Sequence, residues 1–445
     1  MEESTRKRPK KVNDAHALDV SGDQVVLPSS VRSWLSHIGV DVEEYQRALY
    51  SVANNLKKRY YRKLSQPIPD NKPEENPKTV SNLGNATTDE GLQKCATHTE
   101  ECASSSETPR SGATSVNARE NASTGDANST CDHTHQPSTK NHVLVPWLRD
   151  VDLYEAYATI PEGSIGLDAA SAAVIDALRL SELASQDGTK WILDMCCAPG
   201  GKLLGTVSTL KHLWGKGHDW KVIGLDVVKR RLDVCASLLR KENAPENIDV
   251  HLLNCRAQDF TEFEAESMIG RFDRVVLDAE CTHEGSLRSV LRTLKFWGAH
   301  SLESRFTREH ADAIIANQRE LLRHAVRLTR PGGLVVYSTC SLHDDQDELL
   351  VASVVKEFDN VRLQQLPVVN CSCCSSQRGR TGVWPASSTE SRLAERCASR
   401  YLPHRDTPNG TRSCANVESP VCVRFSPMAP DTDGIFLCAI RKMAN

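Results

Sequence analysis

The chain has 445 residues, 39% of them hydrophobic and only 5% aromatic, with a mean hydropathy of −0.43 and a formal net charge of −4. That length allows one large domain or two ordinary ones, and the low aromatic content implies that part of it lies outside any packed core. No apolar run approaches the roughly 20 residues that cross a bilayer, and no apolar stretch backs the N-terminal charges, so neither a membrane span nor a secretory signal is expected.

The acidic balance does not exclude a nucleic-acid partner. Between Ser65 and His142 there are eleven acidic and six basic residues, so the −4 of the whole chain is −5 in that stretch and +1 elsewhere. Sixteen cysteines are many. Those framed by helix and strand patterns (Cys196, Cys197, Cys235, Cys255, Cys281, Cys340) are expected to be reduced, buried or catalytic rather than paired in a disulfide scaffold.

In chain order, residues 1–30 form a basic tail around Arg6, Lys7, Arg8, Lys10 and Lys11, read as a nuclear address, an RNA-touching arm or a solvated tail. Residues 31–64 turn helical, with Tyr45, Leu49, Val52, Leu56 and Tyr60 on one face and a basic end at Lys57, Lys58, Arg59, Arg62 and Lys63; those charges suit either the helix dipole or phosphates. Residues 65–142 are polar and aperiodic, a composition expected to stay disordered. Order resumes at Val143 with a short strand through Leu148.

From Ser171 to Asp359 strands alternate with helices: Trp191–Asp194, Lys221–Asp226, Val250–Asn254, Arg274–Asp278 and Leu334–Ser338. This is the pattern of an α/β fold with a Rossmann-like, doubly wound and mostly parallel sheet. Residues 367–418 form an irregular insert holding Cys371, Cys373, Cys374, Cys397 and Cys414. Its spacing lacks paired C-x-x-C elements, so no metal site is expected. Two strands near Val421–Phe425 and Ile435–Ile440 close the sheet as an antiparallel hairpin. The expected domains are thus the tail, a small helical N-terminal region, the polar insert, and a catalytic domain over 143–445.

Ligands of open parallel sheets bind beyond the carboxyl ends of the strands. The first strand ends there in Asp194-Met195-Cys196-Cys197-Ala198-Pro199-Gly200-Gly201-Lys202, whose glycines and fresh helix N-terminus admit a ligand to the backbone. No G-x-G-x-x-G or Walker lysine motif accompanies it, which disfavours dinucleotides and nucleoside triphosphates. Asp226 ends the next strand, placed to accept from ribose hydroxyls. Asp259 follows the third and could meet an adenine amino group, and Asp278 ends the fourth. Strand four then runs into Asp278-Ala279-Glu280-Cys281-Thr282-His283-Glu284-Gly285, and strand five into Tyr337-Ser338-Thr339-Cys340-Ser341-Leu342, so both cysteines leave the sheet at its ligand-binding edge.

These three elements resemble the signature motifs of the RsmB/Nop/Sun family of RNA (cytosine-5) methyltransferases. The resemblance covers about Val143–Asp359 and resumes at Arg424-Phe425-Ser426-Pro427 through Asp433-Gly434-Ile435-Phe436. It implies S-adenosylmethionine as cofactor, held by Cys196, Cys197, Ala198, Pro199, Gly200, Gly201, Lys202, Asp226, Asp259 and Asp278. It implies Cys340 as the nucleophile on cytosine carbon 6, Cys281 in product release, Asp278 on the cytosine edge, and Lys202 holding the base or orienting Asp278. A thiolate suits that work because it adds and leaves readily, and the target base must be unstacked or single-stranded.

The pattern departs from the family where Asp-Ala-Pro-Cys-Ser-Gly becomes Asp278-Ala279-Glu280-Cys281-Thr282-His283, which alters the loop beside the base. After Cys340, Asp344-Asp345-Gln346-Asp347-Glu348 stands for Pro-Glu-Glu-Asn-Glu, and Leu167 replaces a glutamine beside Asp168 and Ser171. His283 and His343 read as supporting or surface residues rather than bases, and Cys196, Cys197, Cys235 and Cys255 as packing. The rival with the same fold, a silent RNA-binding scaffold, has no use for a nucleophile. A DNA cytosine methyltransferase would want Pro-Cys on strand four, and an amine methyltransferase Asn/Asp-Pro-Pro-Tyr; neither is present. The expected partner is transfer or ribosomal RNA, met by a monomer in the nucleus or cytoplasm.

Overall fold

The computed structural model describes residues 18–54, 59–63, 82–83, 148, 151, 153–156, 164–183, 186–213, 219–242, 244–366, 422–428 and 433–444. The basic tail, nearly all of the polar stretch 65–142 and the cysteine-bearing stretch 367–418 lie outside them, as does the strand expected at Val143–Leu148 except for Leu148, which is buried.

The centre is a nine-stranded sheet. Its parallel strands are β1 (Lys190–Asp194), β2 (Trp220–Leu225), β3 (Ile248–Leu253), β4 (Phe272–Asp278) and β5 (Thr329–Thr339). They are followed by β6 (Val361–Gln364), β7 (Cys422–Phe425) and β8 (Ile435–Lys442). The spatial order is β6-β8-β5-β4-β1-β2-β3, with the two residues Asn82–Leu83 added in parallel beyond β3. Strand order therefore reverses between β1 and β4, which is where an open α/β sheet leaves a crevice for a ligand. The hairpin read from the C-terminal sequence is present, and β8 runs antiparallel to β5. Its far edge is shared: Ile435–Cys438 pair with β7, and Ala439–Lys442 with β6, a strand that lies between the alternating stretch and the insert as read from the sequence.

Burial on both faces is why these strands are mostly apolar rather than strictly alternating. In β4 Val276 joins one core while Val275 and Leu277 join the other, and β5 divides the same way, Leu334 and Val336 against Val335 and Tyr337. The first core is closed by α3 (Ala169–Asp176), α4 (Gly201–Leu213) and α5 (Lys229–Glu242), the second by α7 (Arg308–Leu328) and α8 (Glu348–Val355). Asp168 caps α3 by accepting from Ala170 N at 2.9 Å, and its other oxygen accepts from Asp433 N at 3.1 Å, tying α3 to the chain entering β8.

The N-terminal region differs from its sequence reading. It holds two helices, α1 (Ser29–His37) and α2 (Val42–Ala53), after a short hairpin of Val20–Ser21 and Gln24–Val25. Asp41 caps α2 through Glu44 N at 2.9 Å, and Asn54 ends it. The basic stretch Arg59–Lys63, expected as the helix end, is instead a strand between Tyr154–Ala156 and Ser164–Gly166. Both partners lie about a hundred residues away, and long-range pairing overrides the local helical spacing, of which Tyr45 and Leu49 enter a core and Val52 packs against it. Those two pack with Val31, Trp34 and Leu35 against Leu287, Val290 and Leu302 of α6 (Leu287–Glu303) and against Leu342. The N-terminal helices thus rest on the segments that follow Cys281 and Cys340. Among the described residues no helix is long and apolar enough to cross a membrane.

Candidate active site

The turn after β1 is shaped by glycine. Gly200 has φ +113°, and a Cβ there would stand 2.8 Å from the Cys235 sulfur and 3.1 Å from its Cα; Gly224 in β2 would meet Leu203 and Leu252 at under 3 Å. Only bare backbone fits both places, which lets the turn pack directly on Cys235 of α5 and β2 pack on Leu203 and Leu252. Ala198–Pro199 is cis, and the first N–H groups of α4 follow at once, without partners inside the helix. Asp226 is buried beside this turn. Its two oxygens accept from Val228 N at 2.8 Å and Ala198 N at 3.3 Å, with the Arg231 guanidinium 3.8 Å away. Asp259 sits apart at the rim, in the one-turn helix Ala257–Asp259, with a side chain 61% exposed and 3.9 Å from Arg256.

Asp194 lies under the same turn, fully enclosed. Burial first, then the charge of Asp278, pushes its carboxyl up to about 7 despite Lys202 nearby. Cys196 and Cys197 are raised far above an ordinary thiol, the first mainly by burial and then by Asp194, the second by its bond with Cys235 and by burial. These are inert, protonated sulfurs, as the packing assignment anticipates.

At the ends of β4 and β5 the surroundings are reversed. Asp278 accepts from Lys202 Nζ at 2.8 Å and from Ser338 Oγ at 2.8 Å, one oxygen each. Burial works against the Lys202 cation, but the Asp278 carboxylate overcomes it and holds the ammonium charged. Beyond this pair the sulfurs of Cys281 and Cys340 are 3.3 Å apart, and His283 Nδ1 stands 3.0 Å from Cys340 and 3.5 Å from Cys281. The hydrogen bond with Cys281, then the neighbouring imidazole, draw the Cys340 thiol down to about 5 against the cost of burial. The thiolate in turn raises His283 above its usual value. Cys281 goes the other way, raised by burial and then by its bond to Cys340. At pH 7 an ordinary thiol is ionised to only a few per cent, roughly, whereas one near 5 is almost wholly thiolate. Two sulfurs and a nitrogen also suggest a soft metal, yet thiolates on a tetrahedral zinc at about 2.3 Å stand roughly 3.7 Å apart. The sulfur–sulfur contact here is 3.3 Å and the nitrogen–sulfur contacts are 3.0 and 3.5 Å, all within hydrogen-bond range for sulfur.

The loops that carry these groups are fastened by side chains. Gln346 accepts from Thr282 N at 3.2 Å and donates to Thr282 Oγ1 at 2.7 Å, while Gln318 donates to Glu280 O at 2.7 Å. Buried Arg424 holds Asp344 at 2.9 Å, Asp347 at 3.1 Å and Glu348, which explains the acidic run after Cys340. Thr339 donates to Asp347 at 2.6 Å, so this clamp reaches the residue before the nucleophile candidate. Gly285 N donates to Cys340 O at 2.8 Å and Gly434 N to Gly285 O at 2.9 Å; a Cβ on Gly285 would stand 2.5 Å from Gly434 O. Glu284 is completely buried, its carboxylate accepting from Trp34 Nε1 at 2.9 Å, Thr282 Oγ1 at 2.7 Å and Ser341 Oγ at 3.1 Å. Its carbonyl accepts from Tyr45 OH at 2.6 Å.

The structure therefore brings together Lys202, Asp278, Cys281 and Cys340, places Cys196–Gly201 and Asp226 on the adjoining crevice, and leaves Asp259 at its rim. His283 touches both sulfurs, as a supporting residue would and a surface one would not, and it stands where the family pattern has glycine. His343 does stay away from the sulfurs, its ring 5.5 Å from that of Trp34. Besides the neighbouring Thr282, the partners of the Glu284 carboxylate lie 57 and 250 residues away, and Arg424, which falls within the family resemblance, meets Glu348 76 residues away, so the contacts themselves are not local.

Comparison with known proteins matches the 16S rRNA methyltransferase RsmB/F family over residues 181–441. The ribosomal RNA small subunit methyltransferase F of Aeromonas salmonicida is 26% identical over 246 residues, 54% of this chain and 47% of that protein. Mouse tRNA (cytosine(72)-C(5))-methyltransferase NSUN6 is 31% identical over 190 residues, 40% of this chain and 35% of its own. The chain thus spans about half or less of these relatives' length. A methyltransferase homologue from Pyrococcus horikoshii superposes with a TM-score of 0.41 at 20% identity, covering 68% of this chain and 78% of its own. On a family match that takes in more than half of its residues, this chain belongs to the RsmB/F methyltransferase family.

Proposed function

We propose that the protein is an S-adenosylmethionine-dependent RNA methyltransferase that modifies carbon 5 of cytosine through a covalent bond to Cys340. The observation that carries this reading is Cys340, its thiol drawn down to about 5, 3.3 Å from the Cys281 sulfur and beside the Lys202–Asp278 pair at the strand ends. One relative's name specifies methylation of ribosomal RNA and two specify cytosine-C5 methylation of transfer RNA, which supports RNA as the substrate.

The crevice residues fit the cofactor on the structure's own terms. Asp194, raised to about 7 by burial and by the charge of Asp278, would be relieved by a cationic ligand. Cys196–Lys202 and Asp226 would hold it, with Asp259 at the rim. When bound, S-adenosylmethionine supplies an electrophilic methyl group and positive charge.

In the chemistry assigned to this chain, a sulfur electron pair of Cys340 forms a bond to carbon 6, and the C5=C6 pair moves into the ring, making carbon 5 nucleophilic. Asp278, fixed by Lys202 and Ser338, faces the pyrimidine edge and steadies the ring. Once carbon 5 carries the methyl group, its proton must go to a base; the C5=C6 bond then re-forms and the S–C6 pair returns to Cys340. Cys281 is placed for that step. Burial keeps it protonated, and so do its bond to Cys340 and the charge on that sulfur. The charge disappears when Cys340 is bound to carbon, so Cys281 then gives up its own proton to solvent more readily, and the thiolate left behind can take the proton from carbon 5.

The test is incubation of wild-type, Cys340→Ala and Cys281→Ala protein with cofactor and total cellular RNA, followed by denaturing gels and sequencing of trapped RNA. An RNA-linked band confined to Cys281→Ala, with methyl transfer lost in Cys340→Ala, is expected. Folded protein that neither transfers methyl groups nor traps RNA in any variant would favour the silent scaffold.

A further inference from the structure

His283 holds a backbone conformation that its side chain should resist. Its φ is +67°, in the left-handed region that favours glycine, and it occupies the position where the family pattern has glycine. Strain of this kind persists where surrounding structure over-determines it, and it is common at reactive sites. Here the conformation aims Nδ1 between the two sulfurs, 3.0 Å from Cys340 and 3.5 Å from Cys281.

Resting on the reading of Cys340 as the nucleophile, we infer that His283 is a further catalytic residue, the acid–base partner that takes the Cys340 proton and holds its thiolate ready. The step balances within the pair: the Sγ–H bond of Cys340 breaks, the proton passes to His283 Nδ1, and the electron pair stays on sulfur to form the bond to carbon 6. On release that pair returns to sulfur beside the imidazolium, and the cycle closes without any other reagent for this proton.

The groups facing the pair favour this charge separation on balance. Cys281 donates to the thiolate, and the Lys202 ammonium lies within its field. The Glu284 carboxylate favours the imidazolium, while Arg305 opposes it and Asp278 opposes the thiolate. Tyr45 reaches the same field from α2 and stays neutral, raised by burial and then by Glu284. Burial disfavours each charge alone, but a thiolate and an imidazolium in hydrogen-bond contact offset that cost together.

The test follows alkylation of Cys340 by iodoacetamide across pH 4–10, read by mass spectrometry of the Cys340 peptide, in wild-type and His283→Gly protein. Glycine takes a φ of +67° without strain, so a merely structural histidine predicts a variant at least as stable with an unchanged alkylation profile. The inference predicts equal or higher thermal stability together with a midpoint displaced upward by about 1 pH unit or more. Partial recovery of the pH 6 rate by added imidazole is the further expected result. An unchanged midpoint in a folded His283→Gly protein would overturn the inference. Its failure and that of the nucleophile reading are separable: if Cys340→Ala still transferred methyl groups, Cys340 would not be the nucleophile, whatever the alkylation midpoints show.

Discussion

Four cysteines sit at one edge of a single sheet, two after β1 and two after β4 and β5, and their surroundings drive them apart. Cys196 and Cys197 lie among carboxylates and apolar packing, and both are raised far out of reach of ionisation. Cys340 lies against an imidazole and a thiol donor and is drawn down to about 5. The architecture of the two regions differs as well. The first is shaped by what is missing, the Cβ atoms of Gly200 and Gly224. The second is built from side chains joined across long sequence separations, Arg424 to Asp344, Asp347 and Glu348, and Glu284 to Trp34. Strand-end position makes a cysteine available, and the neighbouring donors decide whether it is reactive.

The sharpest way to break this contrast is to remove one sulfur from each region. Cys340→Ala is expected to lower methyl transfer by on the order of 10⁴-fold or more, since no other group supplies the electron pair. Cys197→Ala should cost less than about 10-fold and act through stability, as a small buried deletion does. Radiolabelled methyl transfer into RNA, with thermal unfolding alongside, measures both. Equal losses in the two variants would erase the distinction.

Next in size is the frame beneath the reactive loop. Arg424→Ala leaves three acidic side chains around an empty buried site, and breaking a buried ion pair from one side costs about 3–5 kcal/mol. Gly200→Ala tests the opposite architecture, where the added methyl would meet Cys235 at 2.8 Å in a left-handed backbone; overpacking of this kind costs about 1–3 kcal/mol. Urea unfolding followed by circular dichroism reads both. The alanine at position 200 is expected to weaken cofactor binding as well, because the same backbone lines the crevice, whereas Arg424→Ala should leave affinity in any surviving folded fraction nearly intact.

The same contrast explains how far the sequence could be read. Strand–helix alternation and the glycine-rich turn are local signals, so the five strands of a mostly parallel sheet, the closing hairpin and the β1 turn were all open to a residue-by-residue reading, while the order of the strands across the sheet was not. Arg59–Lys63 was not, since its strand identity comes from partners in Tyr154–Ala156 and Ser164–Gly166. His283 was visible only as a departure from pattern. Its role depends on where β4 and β5 deliver two sulfurs, and spacing in the chain does not state that distance. Glu284 was still harder to see. It stands 250 residues from Trp34, and a buried carboxylate satisfied by indole and hydroxyl donors has no motif.

The smallest expected effect concerns Asp194, where the two regions meet through Asp278. An aspartate raised from an ordinary value near 4 to about 7 binds a proton in the folded state that the unfolded chain releases. Across that window this group's contribution to stability falls as pH rises, because the slope follows the difference in bound protons between unfolded and folded states. A cationic ligand at the β1 turn inverts the preference and favours the ionised carboxyl. Cofactor affinity should therefore rise with pH up to about 7 and level off above it, changing by at most about tenfold per unit below. Titration calorimetry in two buffers of different ionisation enthalpy would show proton release on binding at pH 6 and almost none at pH 8. Asp194→Asn removes the titrating group, so its affinity should lose this dependence while Cys340 alkylation keeps a midpoint near 5. If the asparagine variant moved both profiles, the cofactor turn and the reactive cysteine would be one electrostatic unit rather than two neighbouring ones.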